Sequence, residues 1–192
     1  MAKARDIEGL HASMPFAEAA AATVAVRAQE LFEHSEHVLD MADIERVHDM
    51  RVASRRLRAV LEIYAPCFPK AQFKPLLREV KDLADALGER RDPDVLLDRL
   101  ATLEATLPKA NIPGIEAFAA PVREEQLRGN ETLAAALEHA ERTDLKGRLT
   151  LLAASAIEPE EEDLPEPTGP AVEAVEALAE AEDLTVDGAS AA

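Results

Sequence analysis

The sequence predicts an all-α fold, an antiparallel bundle of about six helices followed by a disordered acidic C-terminal tail. Three observations carry that prediction. Of the 192 residues 47% are hydrophobic but only 3% aromatic, and the chain is rich in Ala, Leu, Glu and Arg, all strong helix formers. Long β-branched runs are absent, as are the Asn-Gly and Asp-Gly signals of β-hairpins. Prolines and short polar caps divide the chain into segments whose apolar residues recur at helical spacing.

The elements follow in order. Pro15, suited to a first helical turn, opens a helix expected to run to about Asp40, with Val24, Ala28, Leu31 and Val38 near one face. Asp43 is the N-cap of a second helix reaching about Tyr64, and Pro66 and Pro69 break the chain after it. A third helix is expected from about Lys70 to Leu87, with Gly88 as its C′ residue. Asp92 and Pro93 read as the N-cap and first residue of a fourth helix, ending before Pro108. Two more are expected at about 115–141 and 144–156, with Pro121 and Gly129 as possible breaks in the first. This gives a helical domain at 1–157 and a tail at 158–192. The tail is rich in Pro, Glu and Asp and offers too little apolar surface to offset the entropy of ordering. Within it, 171–183 could form a transient acidic helix, with Val172, Val175 and Leu178 three residues apart.

The formal net charge of −17 is unevenly distributed. Residues 46–91 carry eleven basic and six acidic groups, a net of +5, whereas residues 158–192 carry twelve acidic groups and no basic ones. Charge asymmetry of this kind speaks about partners rather than fold. The single cysteine, Cys67, excludes an internal disulfide, and no paired-Cys metal spacing exists. No apolar run approaches the roughly 18 residues of a membrane span. The polar N-terminus does not read as a signal peptide, so a cytoplasmic location is expected. No cofactor or metal is called for.

The positive charge is concentrated in "VHDMRVASRRLRAVL" (47–61), where His48, Arg51, Arg55, Arg56 and Arg58 fall within eleven residues. At about 100° per residue, His48, Arg51, Arg55 and Arg58 share a sector of roughly 80°, with Arg56 on its flank. Met50, Ala53, Leu57, Leu61 and Tyr64 lie on the other side, where they can pack. Like charges at i,i+4 cost a few tenths of a kcal/mol per pair, so folding alone does not favour the stripe. A bound polyanion does, because guanidinium groups fork onto phosphate oxygens and stay charged. His48 can donate to a phosphate as well. Lys74, Arg78 and Lys81 recur along the third helix, and Arg90 and Arg91 follow at its end. If helices two and three are antiparallel, both cationic sets can face one groove. The plainer alternative is a surface whose cations pair with the protein's own acids.

"VHDMRVASRRLRAVLEIYAPCFP" (47–69), followed by "LADALGERRDPDVLLDRL" (83–100), resembles the CHAD domain, the conserved histidine α-helical domain. The resemblance covers about residues 10–157. It implies two pseudo-symmetric helical bundles around a basic surface, binding of inorganic polyphosphate, and association with polyphosphate granules. By position it implies a phosphate-facing role for His48, Arg51, Arg55 and Arg58, with Arg56 beside them, and it matches Arg91 to the family's Arg-Asp turn. Lys74, Arg78, Lys81 and Arg90 come from the charge pattern instead. A second His/Arg-rich helix is missing: His139 and Arg142 lie in "EHAERTDLKGRL", without the repeated arginines. A homodimer supplying one basic helix from each copy is therefore an expectation.

Other classes fit less well. Nucleic-acid binding is disfavoured by the acidity, the scarcity of aromatics for base stacking, and the absence of a recognised motif. An enzyme acting on phosphate chains lacks GxxxxGK[ST] and HExxH motifs. A helical scaffold with a recruiting or regulatory tail remains the rival reading.

Overall fold

The computed structural model describes residues 3–159, and all its regular structure is helical. Five α-helices follow in order among the described residues: α1 (Phe16–Glu33), α2 (Ile44–Ile63), α3 (Lys70–Glu104), α4 (Ile112–Arg142) and α5 (Leu145–Ala154). Short 3₁₀ turns at Ala65–Cys67 and Lys109–Asn111 lead into α3 and α4. Apart from Glu158 and Pro159, the expected acidic tail lies outside the described residues, as does its 171–183 stretch.

The apolar stripes anticipated in the sequence form the core. Val24, Ala28 and Leu31 of α1 meet Met50, Leu57 and Leu61 of α2, all essentially fully buried. Val80, Leu83 and Leu87 of α3, Leu133 of α4 and Leu145, Leu149 and Leu152 of α5 extend it. Burying a Leu or Val side chain contributes about 1.5–3 kcal/mol, so these helices are held by packing more than by intrinsic propensity.

α2 matches its expected span, and the Asp43 carboxylate accepts the Glu45 backbone N–H at 3.3 Å as its cap. α1 stops at Glu33 rather than near Asp40. The Ser35 hydroxyl takes the Phe32 carbonyl at 2.6 Å, and His37 turns the chain with φ at 57°. Val38 still reaches the core, but from the connecting turn, and Asn130 of α4 donates to the Leu39 carbonyl at 3.3 Å.

The largest departure from expectation is α3, which runs unbroken through Gly88, Asp92 and Pro93. Pro93 deprives the Glu89 carbonyl of its usual i+4 donor, a defect that ordinarily kinks or ends a helix. α4 is laid against this point. Gly129 is so close that a Cβ on it would stand 2.8 Å from Glu89 O and 3.0 Å from Arg90 Cα. Arg90 and Asp94, one turn apart, pair across the proline. Asp92 is thus an exposed mid-helix residue and not a cap. α4 likewise continues through Pro121 and Gly129.

α3 and α4 form a long antiparallel hairpin. Beyond Asp94 only Ala119 and Val122 are buried in its outer arm, and Leu96, Leu103 and Phe118 are exposed there. At the other end of α3 the chain leaves through two ties. Ile157 N–H donates to Cys67 O at 2.9 Å, and the Glu158 carboxylate accepts Ala17 N–H at 2.9 Å. The second tie places an anion on the first turn of α1, whose N-cap, Pro15, has no side-chain acceptor.

Candidate functional site

α2 and α3 pack antiparallel, and two polar contacts mark their register. Near the C-terminus of α2, Glu62 Oε1 lies 3.0 Å from Lys81 Nζ of α3 and 3.4 Å from Arg58 Nε of its own helix. Near the N-terminus of α2, Arg91 reaches back from α3 to the Ile44 carbonyl at 3.3 Å and to Glu45 Oε1 at 3.6 Å. The cationic row of α2 lies between these contacts.

Arg51 and Arg55 are exposed, and their side chains make no ion pair or hydrogen bond among the described residues. His48 is half-buried at the same face. Arg58 is exposed but shares Glu62 with Lys81. Lys74 and Arg78 stand exposed on α3, within about 60° of Lys81 on its wheel, and they too carry no partner among the described residues. Ile44 and Glu62, the α2 residues that Arg91 and Lys81 meet, fall in the same sector of the α2 wheel as His48, Arg51, Arg55 and Arg58, so this cationic row shares the side of α2 that meets α3.

Two expected members stand apart. Arg56 is turned toward α1, where its charge acts on Glu30. Burial pushes the Glu30 carboxyl up. The Arg27 guanidinium, the Arg5 backbone N–H and the Arg56 charge outweigh that and hold it below the ordinary carboxylate value.

Arg90 is a correction: it is fully buried and cannot meet a ligand in this fold. Its Nη1 bonds Asp94, its Nε donates to Asn130 Oδ1 at 3.1 Å, and Gln126 of α4 donates to the same Asp94 at 2.6 Å. This pair joins α3 to α4, and a buried charge is tolerated only when paired in this way. Continuing the wheel of the third helix past Gly88 would have placed Arg90 on the face of Leu76 and Leu83, one turn from Asp94.

A second cluster was missed in the sequence. Glu79 of α3 receives Arg148 Nη1 of α5 at 3.0 Å, a further bond from Nη2, and the Thr143 hydroxyl at 3.2 Å. The Arg148 hydrogen bonds hold its carboxyl below the ordinary range despite partial burial. The i,i+69 separation gave no local signal.

Other chemistry finds little footing. Burial pushes the Cys67 thiol up to about 11, so it stays protonated and unreactive near neutral pH. Among the described residues no three His, Cys, Asp or Glu side chains are grouped as a metal site. No helix among them is long and apolar enough to cross a membrane.

The fold is all-helical, and exposed arginines and lysines are concentrated on α2 and α3. The chain belongs to the CHAD domain family, whose model matches residues 22–189. Its fold is similar to the crystal structure of the CHAD domain from the plant Ricinus communis, with a TM-score of 0.60 at 24% identity. That similarity covers 85% of this chain and 55% of the plant chain, so this chain spans about half the length of that structure. No curated protein matches the sequence.

Proposed function

We propose that the protein binds inorganic polyphosphate in the α2–α3 groove, by electrostatic capture without covalent chemistry. The observation that carries this reading is the outward pair Arg51 and Arg55. They lie one turn apart and repel each other, and neither side chain forms an ion pair among the described residues. A phosphate chain supplies regularly spaced anionic oxygens to such a row, and His48, Arg58, Lys81 and Arg91 extend it on both sides. Membership of the CHAD family supports the choice of polyphosphate over other polyanions.

Association with polyphosphate granules in the cytoplasm belongs to the same reading. So does a homodimer in which two copies each offer one cationic helix to a single chain. Sedimentation that shows a monomer both with and without polyphosphate rejects the dimer.

The deciding experiment is a calorimetric titration with long-chain polyphosphate, repeated with duplex DNA at matched salt. Saturable binding that polyphosphate wins supports the reading. No binding returns the protein to the scaffold class, and release of orthophosphate in the presence of Mg²⁺ makes it an enzyme.

A further inference from the structure

We infer that Glu62 is a built-in competitor for the ligand, its carboxylate occupying the place between Arg58 and Lys81 where a phosphate would sit. The inference rests on the polyphosphate reading and concerns how the same groove is regulated.

The geometry is specific. Glu62 and Asp49 are the only acids in the stretch 46–69, and Glu62 stands at the end of the cationic row. A single oxygen, Oε1, serves two cations from two helices, at 3.0 Å and 3.4 Å. All three side chains keep 41–46% of their surface exposed, so this contact is open to solvent and is no buried structural clamp. Exposed ion pairs contribute little to stability, and a ligand can therefore displace this one cheaply.

An internal phosphate offers the same two donors a comparable acceptor, one negative charge shared by two oxygens, and a chain offers many of them in succession. The row is thereby divided into an open part, Arg51 and Arg55, and a guarded part, Arg58 and Lys81. A phosphate chain held at the open part presents its next units to the guarded part at high effective concentration. Each cation released from Glu62 adds one phosphate contact and one step of counterion release.

The test uses the full chain and long-chain polyphosphate, titrated at several salt concentrations. Glu62→Gln keeps the side-chain shape and removes the charge. Glu131→Gln, on the exposed face of α4, makes the same change in net charge outside the groove. Glu62→Gln is expected to tighten binding about three- to tenfold and to steepen the log–log salt dependence by about one unit. Glu131→Gln should stay within about twofold of the parent. The gain should vanish when Arg58 and Lys81 are both replaced by Ala. Equal effects of the two Gln variants, or a gain that survives loss of Arg58 and Lys81, would overturn the competitor while leaving polyphosphate binding intact. Absence of binding in the parent and all variants takes down the binding reading, and the inference with it.

Discussion

Gly129 lies against the backbone of Glu89, and a Cβ at that glycine would stand 2.8 Å from the Glu89 carbonyl oxygen. This is the carbonyl that Pro93 leaves without its i+4 donor. The closest approach of α4 thus falls on the weakest link of α3. Gly129→Ala should destabilise the fold by about 1–2 kcal/mol, because backbone cannot yield as a flexible side chain can. Gly88, in α3, has nothing within 4 Å of its missing Cβ. Gly88→Ala should stabilise by about 0.5–1 kcal/mol, the ordinary helix gain. Urea denaturation of the two variants checks both signs. A destabilised Gly88→Ala would mean that α3 breaks at residue 88 after all.

Arg90 and Asp94 are both fully buried, and Arg90 Nη2 and Asp94 Oδ2 have no hydrogen-bond partner among the described residues. Removing one partner strands the other. Asp94→Leu alone should cost about 3–5 kcal/mol, whereas Arg90→Met with Asp94→Leu should recover most of that loss. Chemical denaturation reads the stability. Polyphosphate titration of the folded double variant should match the parent, since neither residue faces the groove; weakened binding would return Arg90 to the site.

These two relationships show where the sequence was readable. Asp43, Pro66 and Pro69 bound α2 correctly because a cap and a break act within a few residues. Gly88, Asp92 and Pro93 misled because their effect on α3 depends on α4, some 40 residues away, which supports the weakened turn. Arg90 depends on the same support: only on a helix that continues past Leu87 does the wheel turn it inward. The α2 stripe was legible because repulsion along one helix is a local property. The Glu62 bridge and the Glu79–Arg148 link were not, because they join helices whose pairing only the fold supplies.

Acid should destabilise the protein through Glu79 and Glu30. Both carboxyls are held below the ordinary value of 4.5 in the folded state, Glu79 chiefly by its hydrogen bonds from Arg148. The unfolded chain therefore binds protons more readily there. The stability these groups contribute is fully present above pH 4.5 and is lost as pH falls through their lowered folded values. Thermal melts from pH 7 to pH 3 should show Tm falling mainly below about pH 4.5. Glu79→Gln should lower stability by about 1–2 kcal/mol at pH 7 and flatten the acid limb. An acid limb unchanged in Glu79→Gln would assign acid sensitivity elsewhere.

The open part of the groove can be tested apart from its guarded part. The Arg51 and Arg55 side chains are exposed and make no ion pair or hydrogen bond with the described residues, so replacing them should leave the fold intact. A charge-assisted contact is worth about 1.5–3 kcal/mol when well ordered, and exposure puts these two at the low end. Each Arg→Ala change should therefore weaken polyphosphate binding about tenfold and reduce the salt slope by about one. The double variant should lose close to the product of the two, unless neighbouring phosphates shift to share the remaining cations. Arg90→Met with Asp94→Leu removes one arginine from the buried interface and serves as the control for mere loss of a guanidinium. Titration at three salt concentrations separates the outcomes. If affinity falls while the slope stays fixed, these arginines shape the groove without touching phosphate. If both fall together, the outward row is where the chain is held.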